Sequence, residues 1–163
     1  AWRIAALSFS SDAVPPGGLE ALDAERHAAV DVLNRWNQLA LSEDLDILAQ
    51  TMAHDEDMVN LGTDAAERWV GYSALEKATR AQFAASDARD LRVRDQVVHM
   101  AMAANAAWFS EILDASFVSA GGELTVEGLR ITGALEKRDG RWVIVQSHAS
   151  MPVSGQLVAY PTD

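Results

Sequence analysis

Two acid–base candidates stand out along the chain. One is Asp64 in Gly62-Thr63-Asp64; the other is His148 in Gln146-Ser147-His148-Ala149-Ser150. A carboxyl group in an apolar pocket keeps its proton above the usual range and can shuttle it. An imidazole at a pocket mouth can serve as a base or hydrogen-bond a ligand carbonyl. Each has a plainer alternative. Asp64 can cap the turn before Glu67, and His148 can be structural or simply bind a ligand. His148, Ser150 and Asp64 could be combined on paper as a nucleophile set. Two positions apart on one strand is a poor geometry for nucleophile and base, and no Gly-x-Ser-x-Gly elbow supports the set.

A second group of residues could hold a ligand. Glu111 is expected to share a strand face with Phe109, Leu113 and Phe117, as a pocket acid or an ion-pair partner. Arg130, expected on the adjacent strand, is its candidate partner; such a pair is either structural or holds a polar ligand. Trp69 and Trp108 are candidate walls for a flat apolar molecule, each contributing a large apolar face and one N–H donor. Ordinary core packing is the alternative, and it is the reading given to Trp36 and Trp142. Ser150 adds a polar contact beside His148.

No cofactor and no metal is expected. His27, His54, His99 and His148 are scattered without an H-x-x-x-H pair. His54-Asp55-Glu56-Asp57 lacks the spacing and central glycine of a calcium loop. The chain has no cysteine, which removes disulfides, thiolate nucleophiles and cysteine zinc sites together. No glycine-rich phosphate loop occurs.

Composition narrows the partners. The 163 residues carry a net charge of −11 with acidic groups spread throughout, and 49% are hydrophobic. That length fits one domain with a substantial core. Lys and Arg form no patch that could neutralise phosphates, so neither nucleic acid nor an anionic membrane surface is an expected partner. No apolar run approaches the roughly 20 residues of a membrane span. The expected compartment is the cytoplasm, with the periplasm as the alternative because the chain begins at Ala1 and not at Met.

The elements that must position these residues can be read from periodicity. Residues 1–18 form an irregular arm closed by Pro15-Pro16-Gly17-Gly18, and Trp2, Ile4, Leu7 and Phe9 could dock it on the body or on a partner. Three- and four-residue spacing of Leu22, Ala29, Leu33 and Trp36 predicts a helix over 19–41. A short helix follows over 44–52, capped by Asp44. Residues 57–61 and 68–71 read as short strands. Ser73 and Glu76 form a capping-box pattern that opens a third helix to about 86–87. Four long strands then run over 90–103, 106–119, 124–136 and 141–152. Arg138-Asp139-Gly140 gives the clearest hairpin signal, because Gly accepts the positive φ of a tight reversal. On the last strand, Trp142, Ile144, Gln146, His148 and Ser150 fall on one face by strict alternation.

This order resembles the nuclear transport factor 2-like superfamily, in particular its SnoaL-like (polyketide-cyclase-like) branch. Three stretches carry the likeness: 57–64 with 67–71, Ala107-Trp108-Phe109, and Arg130-Ile131-Thr132 through Gly140-Arg141-Trp142 to His148-Ala149-Ser150-Met151-Pro152. The resemblance implies an α+β, cone-shaped (cystatin-like) fold, with three N-terminal helices packed on a strongly curved antiparallel β-sheet. It implies a cone domain over 19–153, with 1–18 as an arm and 154–163 as a tail. Steroid isomerase relatives carry a catalytic Asp near the end of a comparable early strand, but Asp64 does not match it residue by residue. The superfamily hosts many activities. The expected function is binding of a small apolar or aromatic molecule, with cofactor-free isomerase, cyclase or dehydratase chemistry on an apolar carbonyl compound through Asp64 and His148. The alternative is a non-catalytic ligand-binding or oligomerisation domain. Relatives usually pair through the outer sheet face, so a homodimer is expected, with Met100, Met102, Ile112, Val126 and Val145 as its apolar area.

Overall fold

The computed structural model describes residues 16–155. The docking role considered for Trp2–Phe9 lies outside these residues, as does most of the expected tail. Helix α1 spans Gly18–Asn37 and runs almost directly into the single turn α2, Leu39–Ser42. Helix α3 spans Leu45–Thr51, and Asp44 caps it as expected, its Oδ1 accepting the Asp46 N–H at 3.0 Å. Strands β1 (Val59–Leu61) and β2 (Arg68–Val70) precede helix α4, Tyr72–Ala85. Four long strands follow: β3 (Ser86–Met100), β4 (Ala106–Ser119), β5 (Gly122–Arg138) and β6 (Arg141–Ser150). Among the described residues, no helix is long and apolar enough to cross a membrane.

The six strands form one sheet in the order β2-β1-β6-β5-β4-β3. The meander β3–β6 is antiparallel, as its short connectors require. Beside this antiparallel meander, β1 lies parallel to β6, which makes the sheet mixed. The β5–β6 reversal is built as its sequence implied, with Asp139 at φ 51° and Gly140 at φ 80°. Two positive φ values are what a type I′ turn demands.

Helix α1 lies across the inner face of the sheet. Its Ala29 and Leu33 are fully buried, against a core that includes Leu48, Phe109, Leu135 and Ile144. Glu25 ties the helix to the meander: it accepts from Trp142 Nε1 at 2.8 Å and pairs with Lys137. Trp36 packs edge-on against the Phe109 ring. That ring lies over Gly133, where a Cβ would come within 2.6 Å of Phe109 and 2.3 Å of the Gln146 carbonyl oxygen. Only glycine permits this approach.

Helix α4 starts one residue before the expected capping box. Gly71 holds the N-cap position with no side-chain cap bond, and Glu76 pairs with Arg80 instead. Tertiary backbone bonds fix the start, Gly71 N–H to Met58 O and Tyr72 N–H to Asp55 O.

The long strands are interrupted by register shifts. Extra residues fall at Arg89 and at Asp95–Gln96 of β3, at Glu127–Gly128 of β5 and at Val145 of β6. A bulge bends its strand and re-aims the side chains after it. These bulges bend the meander around the helices and set which residues face the interior.

Candidate functional site

Between the helices and the inner face of the sheet lies a cavity of about 640 Å³. Its walls are mostly apolar: Trp36 and Leu39 from α1 and α2, Leu48 from α3, Trp69 from β2, Phe83 from α4, and Leu113, Phe117 and Ile131 from the meander. A few polar groups interrupt this surface, chiefly Asn37, Asn60, Thr79, Gln82 and Ser147. Glu67 is the charged side chain of the lining; no Lys, Arg or His contributes among the described residues.

Asn60 sits in the middle of β1, only 1% exposed. The parallel register sets it beside Ser147 of β6, whose hydroxyl donates to Asn60 Oδ1 at 2.6 Å. The Asn60 Nδ2 group is buried without a partner. Sequence reasoning passed over this residue, although a lone amide between the apolar Val59 and Leu61 was the available signal.

Glu111 lies on the inner face of β4, 2% exposed. Its Oε2 accepts from Asn37 Nδ2 at 3.1 Å and from Gln96 Nε2 at 2.8 Å, while Oε1 has no partner. Burial pushes this carboxyl above its ordinary range, and the two amide donors oppose the shift. The β3 bulge is what turns Gln96 toward it. The expected Arg130–Glu111 pair does not form. Arg130 pairs in register with Ile112, not with Glu111, and is exposed on the opposite face of the sheet. Glu111 is not part of the cavity lining, but Asn37 touches both.

Asp64 does not reach the cavity. It is exposed, and its Oδ1 accepts the Ala66 N–H at 2.8 Å, which is the turn-capping alternative. The turn is held from inside by Glu67, whose Oε2 accepts the Thr63 N–H at 2.7 Å and the Asp64 N–H at 3.0 Å. His148 and Ser150 also point away from it. Strict alternation set them with Ile144, but Val145 is an extra residue between Ile144, paired with Leu135, and Gln146, paired with Ala134. A one-residue slip moves every later side chain to the other face. Ser147 and Ala149 therefore line the cavity, and His148 is exposed on the outer face.

The tryptophans divide in the same way. Trp69 and Trp36 line the cavity. Trp108 lies on the outer face, 53% exposed and stacked on His99 with ring centroids 5.7 Å apart. The residues expected to make that outer face apolar largely turn elsewhere. Met100 and Val145 pack against the core, and Val126 lines the cavity. Met102 is exposed in the β3–β4 turn, leaving Ile112 on the outer face beside Arg94 and Arg130. Among the described residues, no three His, Asp or Glu side chains gather as metal ligands.

Comparison with known proteins adds the fold's relatives. Residues 30–154 match the family model described as a SnoaL-like domain. No curated protein sequence matches the chain. Among solved structures, a nuclear transport factor 2-like superfamily protein from Salmonella enterica superposes with TM-score 0.71 at 16% identity, covering 85% of this chain and 99% of that one. A protein of unknown function with a cystatin-like fold from Nostoc punctiforme gives TM-score 0.58 at 15% identity, over 85% and 97%. A putative calcium/calmodulin dependent protein kinase II association domain from Xanthomonas campestris gives 0.63 at 20% identity, over 77% and 86%. At these identities the likeness establishes the fold alone.

Proposed function

The chain belongs to the SnoaL-like domain family, and from that premise we propose that it binds a small, largely apolar or aromatic molecule inside its cone. The observation that carries this reading is the cavity of about 640 Å³, walled by aromatic and aliphatic side chains with a few polar groups between them. Small-molecule sites have that size and that balance. Trp36 and Trp69 supply flat apolar contact, and burying such a ligand releases water from both surfaces. The Asp64 and His148 side chains lie outside the cavity, so the isomerase, cyclase or dehydratase proton transfer expected of them does not reach a molecule bound there.

The test is a titration with Nile red, a neutral apolar dye. The protein is expected to bind it and raise its emission. Ala115→Phe fills the cavity from the β4 wall and is expected to abolish the signal while the circular dichroism spectrum is retained. Equal binding by this folded variant would overturn the reading.

We also propose that the outer sheet face joins two copies of the chain. Trp108 and Val97 supply the motivation, at 53% and 44% exposed; large exposed apolar groups on a sheet face mark contact surfaces. Sedimentation velocity is expected to find a dimer that Trp108→Glu converts to monomer. A monomeric wild type would end this reading and leave the first untouched.

A further inference from the structure

We infer that Asn60 is the polar anchor of the cavity, and that the molecule it holds is uncharged and presents a hydrogen-bond acceptor, such as a carbonyl oxygen, to Nδ2. The inference rests on the binding function proposed above.

The first support is position. β1 is a three-residue strand clamped between β2 and β6, with Asn60 opposite Trp69 on one side and Ser147 on the other. With the strand paired on both flanks and the amide oxygen held by the Ser147 hydroxyl, the side chain is preorganised, which lowers the entropy lost when it binds. Asn60 and Trp69 both line the cavity, so an aromatic wall stands next to the amide.

The second is the sense of the amide. Ser147 Oγ and Asn60 Oδ1 are 2.6 Å apart. That separation suits an O–H···O bond and is short for N–H···O. The hydroxyl therefore donates to the amide oxygen and leaves Nδ2 as the free group. Buried amide donors are nearly always satisfied, yet Asn60 Nδ2 has no partner in a side chain only 1% exposed. A ligand acceptor completes it.

The third is charge. The lining contains no cation among the described residues, and its one charged side chain, Glu67, is an anion. A carboxylate or phosphate ligand would be buried without a counter-charge, which is strongly unfavourable. The free polar group is a donor, so a ligand whose only polar group is itself a donor gains nothing from it.

A matched set of rigid probes separates these statements. Fluorene and 9-fluorenone have nearly the same shape and differ in the carbonyl; fluorene-9-carboxylate adds a charge. Isothermal titration of the wild-type protein is expected to find 9-fluorenone bound about tenfold more tightly than fluorene, the scale of one hydrogen bond, with the carboxylate weakest. The infrared carbonyl stretch of bound 9-fluorenone should fall relative to its value in an apolar solvent, and Asn60→Leu should remove both the preference and the shift. Because the ligand pair is compared first in the wild type, the test does not depend on this variant folding. Equal binding of fluorene and 9-fluorenone would overturn the role of Asn60 and leave the cavity reading in place. Tight binding of the carboxylate would overturn the uncharged class. Failure of all three to bind would overturn the inference together with the binding function.

Discussion

Ile144 and Ser147 face the same side of the sheet although three positions separate them on β6, because Val145 has no partner on β5. Everything beyond that residue is inverted with respect to simple alternation. Deleting Val145 would restore alternation and force a choice. Either Ser147 and Ala149 leave the cavity and His148 and Ser150 enter it, or the strand slips against β1 and β5. Both outcomes disrupt the core, so the deletion is expected to lower the melting temperature sharply or prevent folding. His148→Ala in the intact strand is expected to change stability by no more than about 0.5 kcal/mol, the usual range for surface substitutions, and to leave ligand binding unaltered. Thermal melts and the Nile red titration check both. A well-folded deletion variant would contradict the assignment of faces.

Arg94 grips Asp114 with two hydrogen bonds on the outer face, Nε to Oδ2 at 2.9 Å and Nη2 to Oδ1 at 3.1 Å, and the Gly128 N–H adds a third at 2.8 Å. Together they hold the Asp114 carboxyl down from 3.8 to about 2. A group whose folded value is depressed favours the folded state above its unfolded value and loses that contribution as the pH falls through the folded one. The stabilisation from this pair should therefore be complete above about pH 4 and fade toward pH 2. Denaturation of wild type and Asp114→Asn across this window tests it: the wild type should be the more stable at pH 5, with the gap closing at pH 2. A gap independent of pH would contradict the account.

Glu111 titrates with the opposite sign. Burial raises its carboxyl in the folded protein, so folding favours the protonated form. Its contribution is most favourable at low pH and declines as the pH rises through the folded value. Glu111→Gln removes the charge but keeps an oxygen able to accept from Asn37 and Gln96. The variant is expected to be more stable than the wild type at pH 8, where ionising the buried wild-type carboxyl is unfavourable, and to differ little from it at pH 4. Melting curves at the two values decide; a variant less stable at pH 8 would mean that the ionised carboxylate is favoured by its surroundings.

How much of this was written in the sequence depends on the physics that governs each part. The β5–β6 hairpin was legible because Asp139-Gly140 satisfies a local demand for two positive φ angles. The long strands and the α3 cap were legible for the same reason: patterning and capping act within a few residues. The faces were not. Each bulge is a local choice between two registers that the whole sheet decides, and the strand sequence carries no mark of Val145 or Gln96 as the extra residue. Helix α4 shows a similar override, since the bonds from Gly71 and Tyr72 to distant carbonyls displaced a sound capping box. As a result Trp69 and Glu111 were expected inside and are inside the cone, while His148, Ser150, Arg130 and Trp108 were expected there and lie on its outer face. Asn60 was missed because one amide in a three-residue strand carries no periodic signal.

The most direct measurement is a crystal structure of the protein soaked with 9-fluorenone. Ring density is expected inside the cone between Trp36 and Trp69, with the carbonyl oxygen within hydrogen-bonding distance of Asn60 Nδ2. A cone without ligand density, or density confined to the outer face at Trp108, would contradict this arrangement.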